Sequence, residues 1–251
     1  MKISVIMAAY NSQDTIGRAI ESFLAQDYPE KELVVIDGAS GDDTCAIVQA
    51  FDSPLIRLYS EPDRGIYDAF NKGIAAATGS VIGHLHSNDF YSTSSILSRI
   101  ADRMDADALE AIYADVEFFA PGRPDKTIRH YRSDRFSPGM LRFGIMPAHP
   151  TLYLRQHVFE KYGIYPTDMM AADFEFVARI FKDDTLCAAY IPETWVRMQT
   201  GGASAPGIRS TLSRTAEIIR ACRLNGISTS WPTVLWKYSW KVKEFLPMLK
   251  G

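Results

Sequence analysis

The first third of the chain alternates short apolar runs with amphipathic helical stretches, and few architectures accommodate that pattern. Ile3 to Ala9 is apolar at nearly every position and reads as a buried strand. Ile16, Ala19, Ile20, Phe23 and Leu24 then recur at helical spacing, with Asn11 or Ser12 placed to cap the helix. Glu32 to Ile36 is a second strand. Asp42 or Asp43 starts a helix carrying Ala46, Ile47 and Ala50, and Leu55 to Tyr59 is a third strand. Ile66 to Ala76 reads as helix and Ser80 to Leu85 as a fourth strand. Strands alternating with helices imply a parallel sheet with right-handed crossovers. The expected fold class is therefore α/β, doubly wound over roughly the first 90 residues.

The second half is less regular. Ile96 to Met104 is predicted as helix and Ala111 to Phe119 as strand. Pro121 to Pro150 mixes proline, glycine, arginine and aromatics, and predicts loops and short strands around a cleft. Thr151 to Leu154 is a short strand, followed by a helix near Gln156 to Tyr162. Ala172 to Phe181 is a helix with Phe174, Val177, Ala178 and Phe181 on one face, and Leu186 to Ile191 is a strand. Gly201 to Gly207 predicts a flexible loop.

With 251 residues, 47% of them hydrophobic, the chain can bury one large α/β core. A net charge of -3 argues against nucleic acid as a partner. Cys45, Cys187 and Cys222 are scattered, which suits a reducing compartment and makes neither a disulfide framework nor a zinc motif. The apolar run at the N-terminus is too short for a membrane span and has no cleavage pattern, so a cytoplasmic protein is expected.

In open α/β sheets, ligands bind outside the carboxyl ends of the strands. Strand one ends at Ala9-Tyr10-Asn11 and strand two at Asp37-Gly38-Ala39-Ser40. Strand three leads to Glu61-Pro62-Asp63-Arg64-Gly65, and strand four to His86-Ser87-Asn88-Asp89. Each cluster alone could be turn and cap chemistry. Together they gather polar and acidic groups on one sheet edge. No G-x-x-x-x-G-K-[ST] loop and no G-x-G-x-x-G follows strand one, so neither an ATPase nor a dinucleotide enzyme is supported. A nucleotide here would need another device, such as a divalent cation held by carboxylate. His84 and His86 share one face of strand four; they read either as a metal pair or as packed, hydrogen-bonded side chains.

MKISVIMAAYNSQDTIGRAIESFLAQDYPEKELVVIDGASGDDT, then EPDRGIYDAFNKGIAAATGSVIGHLHSND, and more weakly HPTLYLRQHVFEKYG and AADFEFVARI, resemble the inverting family 2 glycosyltransferases of bacterial polysaccharide synthesis. The resemblance implies a GT-A fold: a mostly parallel central sheet flanked by helices, with a nucleotide-sugar-binding catalytic domain over 1–205 and a helical appendage over 206–251. It implies a UDP- or GDP-sugar donor, a saccharide or lipid-linked saccharide acceptor, and Mn2+ or Mg2+ as cofactor. Carried over by position, Ala8, Tyr10 and Asn11 lie near the nucleoside, and Asp37 accepts hydrogen bonds from the base. Asp68, Asn71 and Lys72 run beside the donor, although Asp68 and Lys72 read equally well as a solvated helix face. Ser87-Asn88-Asp89 occupies the place of the family's D-x-D. Asn88 joins the donor contacts and Asp89 is the metal carboxylate, but Ser87 replaces the first aspartate. Asp173 matches the catalytic base, with helix capping as its other reading and Glu175 as the competing carboxylate. His149 falls on the acceptor side or packs as a structural histidine. Gly201 and Gly202 belong to a loop placed to cover donor and acceptor.

Ser230 can cap a last helix carrying Trp231, Val234, Leu235, Tyr238, Val242, Phe245, Leu246 and Leu249, with Lys237, Lys241 and Lys243 off that stripe. This helix could meet the inner face of a membrane. It could equally dock on the catalytic domain or on a second subunit of a homo-oligomer. The alternative to catalysis is a sugar-nucleotide-binding or scaffold protein of a polysaccharide synthesis complex, kept open by Ser87.

Overall fold

The computed structural model describes residues 1–201 and 208–236, with 208–210 described by backbone alone. The chain opens as β1 (Ile3–Ala9), α1 (Ile16–Leu24), β2 (Lys31–Asp37), α2 (Thr44–Ala50), β3 (Ile56–Ser60), α3 (Ile66–Ala76) and β4 (Val81–His84). β1 pairs in parallel with β2 and β4, and β2 in parallel with β3. The continuous apolar run of β1 follows from that central position. Ile3, Val5, Met7 and Ala9 face a core shared with Ile16, Ala19, Ile20 and Phe23 of α1. Ile6 faces a second core on the other side of the sheet, with Phe70 of α3. Both faces are covered, so alternation gives way to an unbroken hydrophobic strand. Gly73 is what lets α3 lie this close: a Cβ there would sit 2.3 Å from Ile6 Cγ2.

The chain continues as β5 (Phe90–Tyr91), α4 (Ile96–Ala106), β6 (Ala111–Ala120) and β7 (Arg123–Tyr131). After 3-10 turns at Pro138–Phe143 and His149–Thr151 come β8 (Tyr153–Arg155), α5 (Gln156–Tyr162), α6 (Ala172–Phe181), β9 (Ala188–Gln199) and α7 (Ile208–Leu224). Among the described residues nine strands form one sheet in the order β3-β2-β1-β4-β8-β6-β9-β5, with β7 on β6. β6 and β9 are parallel, whereas β8, β7 and β5 pair antiparallel to their neighbours.

Three local expectations differ from the structure. No side chain caps α1; the backbone carbonyl of Ser12 receives the N–H groups of Thr15 and Ile16, while the Ser12 hydroxyl meets Ser87. Residues 123–131 form one long hairpin strand instead of short pieces. It is a mostly exposed strand carrying arginine and lysine, so it shows no apolar alternation. The strand expected to end at Ile191 runs on to Gln199, with Pro192 inside the stretch where its register against β6 slips. Proline is tolerated at such an irregularity because no ladder hydrogen bond is required of it there.

α7 buries Ile218, Ile219, Ala221 and Cys222 in the same core as Phe174, Phe176 and Val177 of α6. The Ser230 hydroxyl accepts the Thr233 N–H at 3.4 Å, residues 231–236 are helical, and Val234 is fully buried. Trp231, Leu235 and Trp236 stay substantially exposed. The helix expected beyond residue 236 lies outside the described residues. Among the described residues, no helix is long and apolar enough to cross a membrane.

Candidate functional site

The carboxyl ends of β1, β2 and β4 meet in a web of turns. Asn11 has φ +46, in the left-handed region that asparagine tolerates better than most residues. Its N–H donates to Ser40 Oγ at 2.8 Å, and its Oδ1 accepts from Gly41 N–H at 3.0 Å. Ala8 is half-buried beneath, and the Tyr10 ring projects outward, 66% exposed. Asp37 is completely buried. Its Oδ1 accepts from the Ser40 hydroxyl. Its Oδ2 accepts from Ser40 N–H at 3.0 Å, Ser60 Oγ at 2.7 Å and Cys45 Sγ at 3.1 Å. Burial alone would raise this carboxyl, but those donors outweigh it and hold it below the usual range. Three of these donors fall on Oδ2 and one on Oδ1, so the carboxylate is engaged from within the protein while Oδ1 keeps an acceptor position.

Asp68, Asn71 and Lys72 are likewise engaged inside the chain. Asp68 accepts from Arg64 and sits 3.8 Å from Lys72 Nζ. Lys72 Nζ reaches the Pro62 carbonyl and Glu61 Oε1, each at 2.8 Å. Asn71 clamps the backbone of Tyr165: Nδ2 donates to its carbonyl at 2.8 Å and Oδ1 accepts its N–H at 3.0 Å.

Asp89 stands after β4, 1% exposed. Its Oδ1 accepts the Gln199 N–H at 3.0 Å, while Oδ2 is buried with no hydrogen-bond partner among the described residues. Burial pushes its carboxyl up to about 8, against the Gln199 hydrogen bond and the nearby charge of Arg18. Arg18 of α1 has its guanidinium 4.8 Å from the Phe90 ring centre and 5.0 Å from that of Phe119. It donates to the Asn88 carbonyl and to Gln199 Oε1, both at 3.3 Å. Asn88 thus enters the web through its backbone. Ser87, which stands where the family's D-x-D has its first aspartate, bonds the Ser12 hydroxyl at 2.9 Å. Gly201, two residues beyond Gln199, has φ +97, which favours glycine. Gly202 lies outside the described residues.

Asp173 opens α6, half-buried, with Oδ1 accepting the Phe174 N–H at 2.8 Å. Burial raises its carboxyl. The Phe174 N–H, the Tyr67 hydroxyl and the neighbouring His86 and Arg214 oppose that rise. Glu175 faces elsewhere: it pairs with Arg179 at 2.8 Å and accepts from Asn225 Nδ2 at 3.1 Å, sewing α6 to α7. His149 is buried with Nε2 2.8 Å from the Tyr165 hydroxyl, and burial brings its pKa down to about 4. His84 and His86 lie on one side of β4 against Phe70, with ring centres 4.5 and 5.7 Å away. Both His84 nitrogens are buried without partners among the described residues, and burial keeps the ring neutral. Among the described residues no group of three or more His, Cys, Asp or Glu side chains is placed to hold a metal ion.

Sequence reasoning assigned no role to Arg18 or Tyr67. Arg18 sits off the apolar stripe of α1 and reads as a solvated side chain. Tyr67 directly precedes Asp68, yet its hydroxyl faces the start of α6: it donates to the Met170 carbonyl at 3.3 Å and neighbours the Asp173 carboxyl, lowering it.

The chain matches the family described as Glycosyl transferase family 2 over residues 4–181. It is 38% identical over 103 residues to an uncharacterized glycosyltransferase of Mycobacterium tuberculosis, covering 41% of this chain and 39% of that protein. It is 45% identical over 105 residues to the succinoglycan biosynthesis protein ExoO of Rhizobium meliloti, 41% of this chain and 30% of that one. A beta-1,3-glucosyltransferase of Escherichia coli, WfaP, is 36% identical over 99 residues, 39% of each. These matches therefore span under half the length of the curated relatives. The S. aureus TarS structure in complex with UDP-GlcNAc superposes with a TM-score of 0.70 at 18% identity, covering 90% of this chain and 65% of that one. The mannosyltransferase PcManGT of Pyrobaculum calidifontis, with GDP-Man and Mn2+, gives 0.66 at 19% identity, covering 95% and 69%. The fold is the GT-A fold, and with a family match across most of its length this chain belongs to glycosyl transferase family 2.

Proposed function

We propose that this chain transfers a sugar from a UDP- or GDP-sugar to a hydroxyl of a saccharide or lipid-linked saccharide acceptor, with inversion. The observation that carries the reading is the Asp89 carboxylate after β4, whose Oδ2 is buried and unpartnered among the described residues, in a GT-A fold whose α6 opens with the second carboxylate, Asp173. Asp173 has His86, three residues ahead of Asp89, as a neighbour. The nucleotide complexes of the TarS and PcManGT structures support a nucleotide-sugar donor, and the name of WfaP supports a diphosphate-lipid acceptor.

The acceptor oxygen attacks the anomeric carbon as its bond to the diphosphate breaks, and Asp173 receives the hydroxyl proton. A raised carboxyl is the stronger base, and such proton transfer contributes about 10²–10⁴ in rate. Tyr67 and the Phe174 N–H hold that carboxyl in place. The Asp89 Oδ2 atom, buried and unpartnered among the described residues, fits a role as ligand to Mn2+ or Mg2+. With Ser87 contributing no charge, the remaining ligands would be diphosphate oxygens and water, a common arrangement for Mg2+. When bound, the cation supplies positive charge to the departing diphosphate. Tyr10, Asn11 and Ala8 flank the nucleoside, and His149 shapes the acceptor side through Tyr165. Trp231, Leu235 and Trp236 lead into the lysine-rich end of the chain, and are proposed to contact the membrane holding a lipid-linked acceptor. Association into a homo-oligomer is the other use of that face.

The deciding experiment is release of UDP or GDP from a panel of nucleotide sugars with Mn2+, Mg2+ or EDTA. Metal-dependent release from one donor, lost in Asp89→Ala, is the expected result. Failure to bind any nucleotide would leave the scaffold reading in its place.

A further inference from the structure

α7 carries a cation to the side of Asp173. Glu217 of α7 accepts the Met170 N–H at 3.2 Å, and the Tyr67 hydroxyl donates to the Met170 carbonyl at 3.3 Å. The Met170 backbone is thus held between α3 and α7, just ahead of Asp173. Arg214 lies one turn before Glu217 on the same side of α7. Its charge reaches both the Asp173 carboxyl and the Tyr67 hydroxyl. Arg214 is exposed and takes no hydrogen bond or ion pair among the described residues. The acids around it are engaged elsewhere: Glu217 and Asp168 pair with Arg220 at 3.8 and 2.8 Å, and Glu175 with Arg179 at 2.8 Å. A cation beside a general base weakens that base by favouring its ionised form. An anion bound to Arg214 would relieve that effect. Apolar surface stands at the same mouth: Met170 is 66% exposed, and Ile66, next to Tyr67, is 40% exposed.

We propose that Arg214 binds a phosphate or diphosphate ester carried by the acceptor, with Met170 and Ile66 lying against the acceptor's lipid. The inference rests on the inverting nucleotide-sugar reading above, and narrows its acceptor from saccharides in general to those linked to lipid through phosphate. In an in-line displacement the base and the departing diphosphate stand on opposite faces of the sugar ring. A cation on the base's side therefore faces the acceptor and not the leaving group. The guanidinium fork matches two phosphate oxygens at once, and a neutral saccharide would leave its charge unused.

Calorimetric titration of the full chain tests this with geranyl diphosphate, geraniol and inorganic pyrophosphate. The donor site is first saturated with UDP or GDP and excess Mn2+, so that an added diphosphate cannot enter there. The proteins are the wild type, Arg214→Gln and Met170→Ser. Glutamine forms helix about as well as arginine, and position 214 is exposed, so the fold is kept. The wild type is expected to bind geranyl diphosphate about tenfold or more tighter than geraniol, the worth of hydrogen bonds to a charged group. Arg214→Gln should lose that preference while binding UDP or GDP as the wild type does. Met170→Ser should narrow the preference for geranyl diphosphate over pyrophosphate. Equal binding of geranyl diphosphate by the wild type and Arg214→Gln, or none by either, would overturn the proposal. So would Arg214→Gln losing UDP or GDP instead, which would assign Arg214 to the leaving diphosphate. Pyrophosphate bound by the wild type as tightly as geranyl diphosphate would overturn the lipid assignment in favour of free phosphate. A wild type binding neither UDP nor GDP would overturn the donor reading together with this inference.

Discussion

Asp89 Oδ1 accepts the backbone N–H of Gln199, so the carboxylate after β4 is fastened to the last residue of β9, across 110 positions of sequence. Arg18 reinforces the junction by donating to the Asn88 carbonyl and the Gln199 side chain while its guanidinium packs against Phe90 and Phe119. Lysine keeps the charge but not the planar fork. Arg18→Lys and Arg18→Ala are therefore expected to weaken the Mn2+-dependent part of UDP binding about tenfold or more, as partners of metal ligands commonly do. UDP binding in EDTA should change little. Calorimetry with and without Mn2+ reads both; an equal loss in the two conditions would count against this role.

Asp173→Asn should lower turnover about 10²–10⁴-fold with little change in donor affinity. Tyr67→Phe is the subtler variant. The base works when ionised, so turnover falls as pH drops through its pKa. The Tyr67 hydroxyl favours the ionised form. Removing it should move the acid limb of the pH–rate profile to higher pH. A limb that stays put, or moves down, would remove Tyr67 from the account.

Glu175 is two residues away on the same helix and should behave oppositely. Its bonds go to Arg179 and Asn225, in the seam between α6 and α7. Glu175→Ala leaves Arg179 without its charged partner, and should cost about 1–3 kcal/mol in urea unfolding. Turnover per folded molecule should be preserved. Loss of turnover without loss of stability would make Glu175 the base.

The amino-terminal edge of the sheet has its own titrating group. Glu32 is buried and accepts from Ser4 Oγ at 2.6 Å, Lys2 Nζ at 2.9 Å and Thr78 N–H at 2.7 Å. Burial pushes its carboxyl up, but these donors together bring it from 4.5 down to about 2. A depressed carboxyl stabilises the fold above its unfolded pKa, and that contribution is lost as pH falls through the folded one. Glu32→Gln should therefore cost about 1–3 kcal/mol near neutrality. The difference from the wild type should shrink between pH 4.5 and about 2, a window bounded by the two pKa values. Denaturant midpoints across that range provide the check.

The alternation of apolar runs and helical stripes determined β1 through β4, because each element buries a face whose period is written locally. Helices at 156–162 and 172–181 were legible for the same reason. So was the clustering of Tyr10, Asp37 and Asp89 at strand ends, since parallel strands bring their carboxyl ends to one edge. The tertiary structure alone decided what those groups touch. Asp37 is held from within because Ser40, Ser60 and Cys45, from three different segments, converge on its Oδ2. Asp173 and Glu175 are equivalent acids in sequence. They part company because positions two apart on a helix face different neighbours, Tyr67 and His86 in one case, Arg179 and Asn225 in the other. Local periodicity fixes which residues are inside, but which partner a buried polar group finds depends on segments brought together from far along the chain.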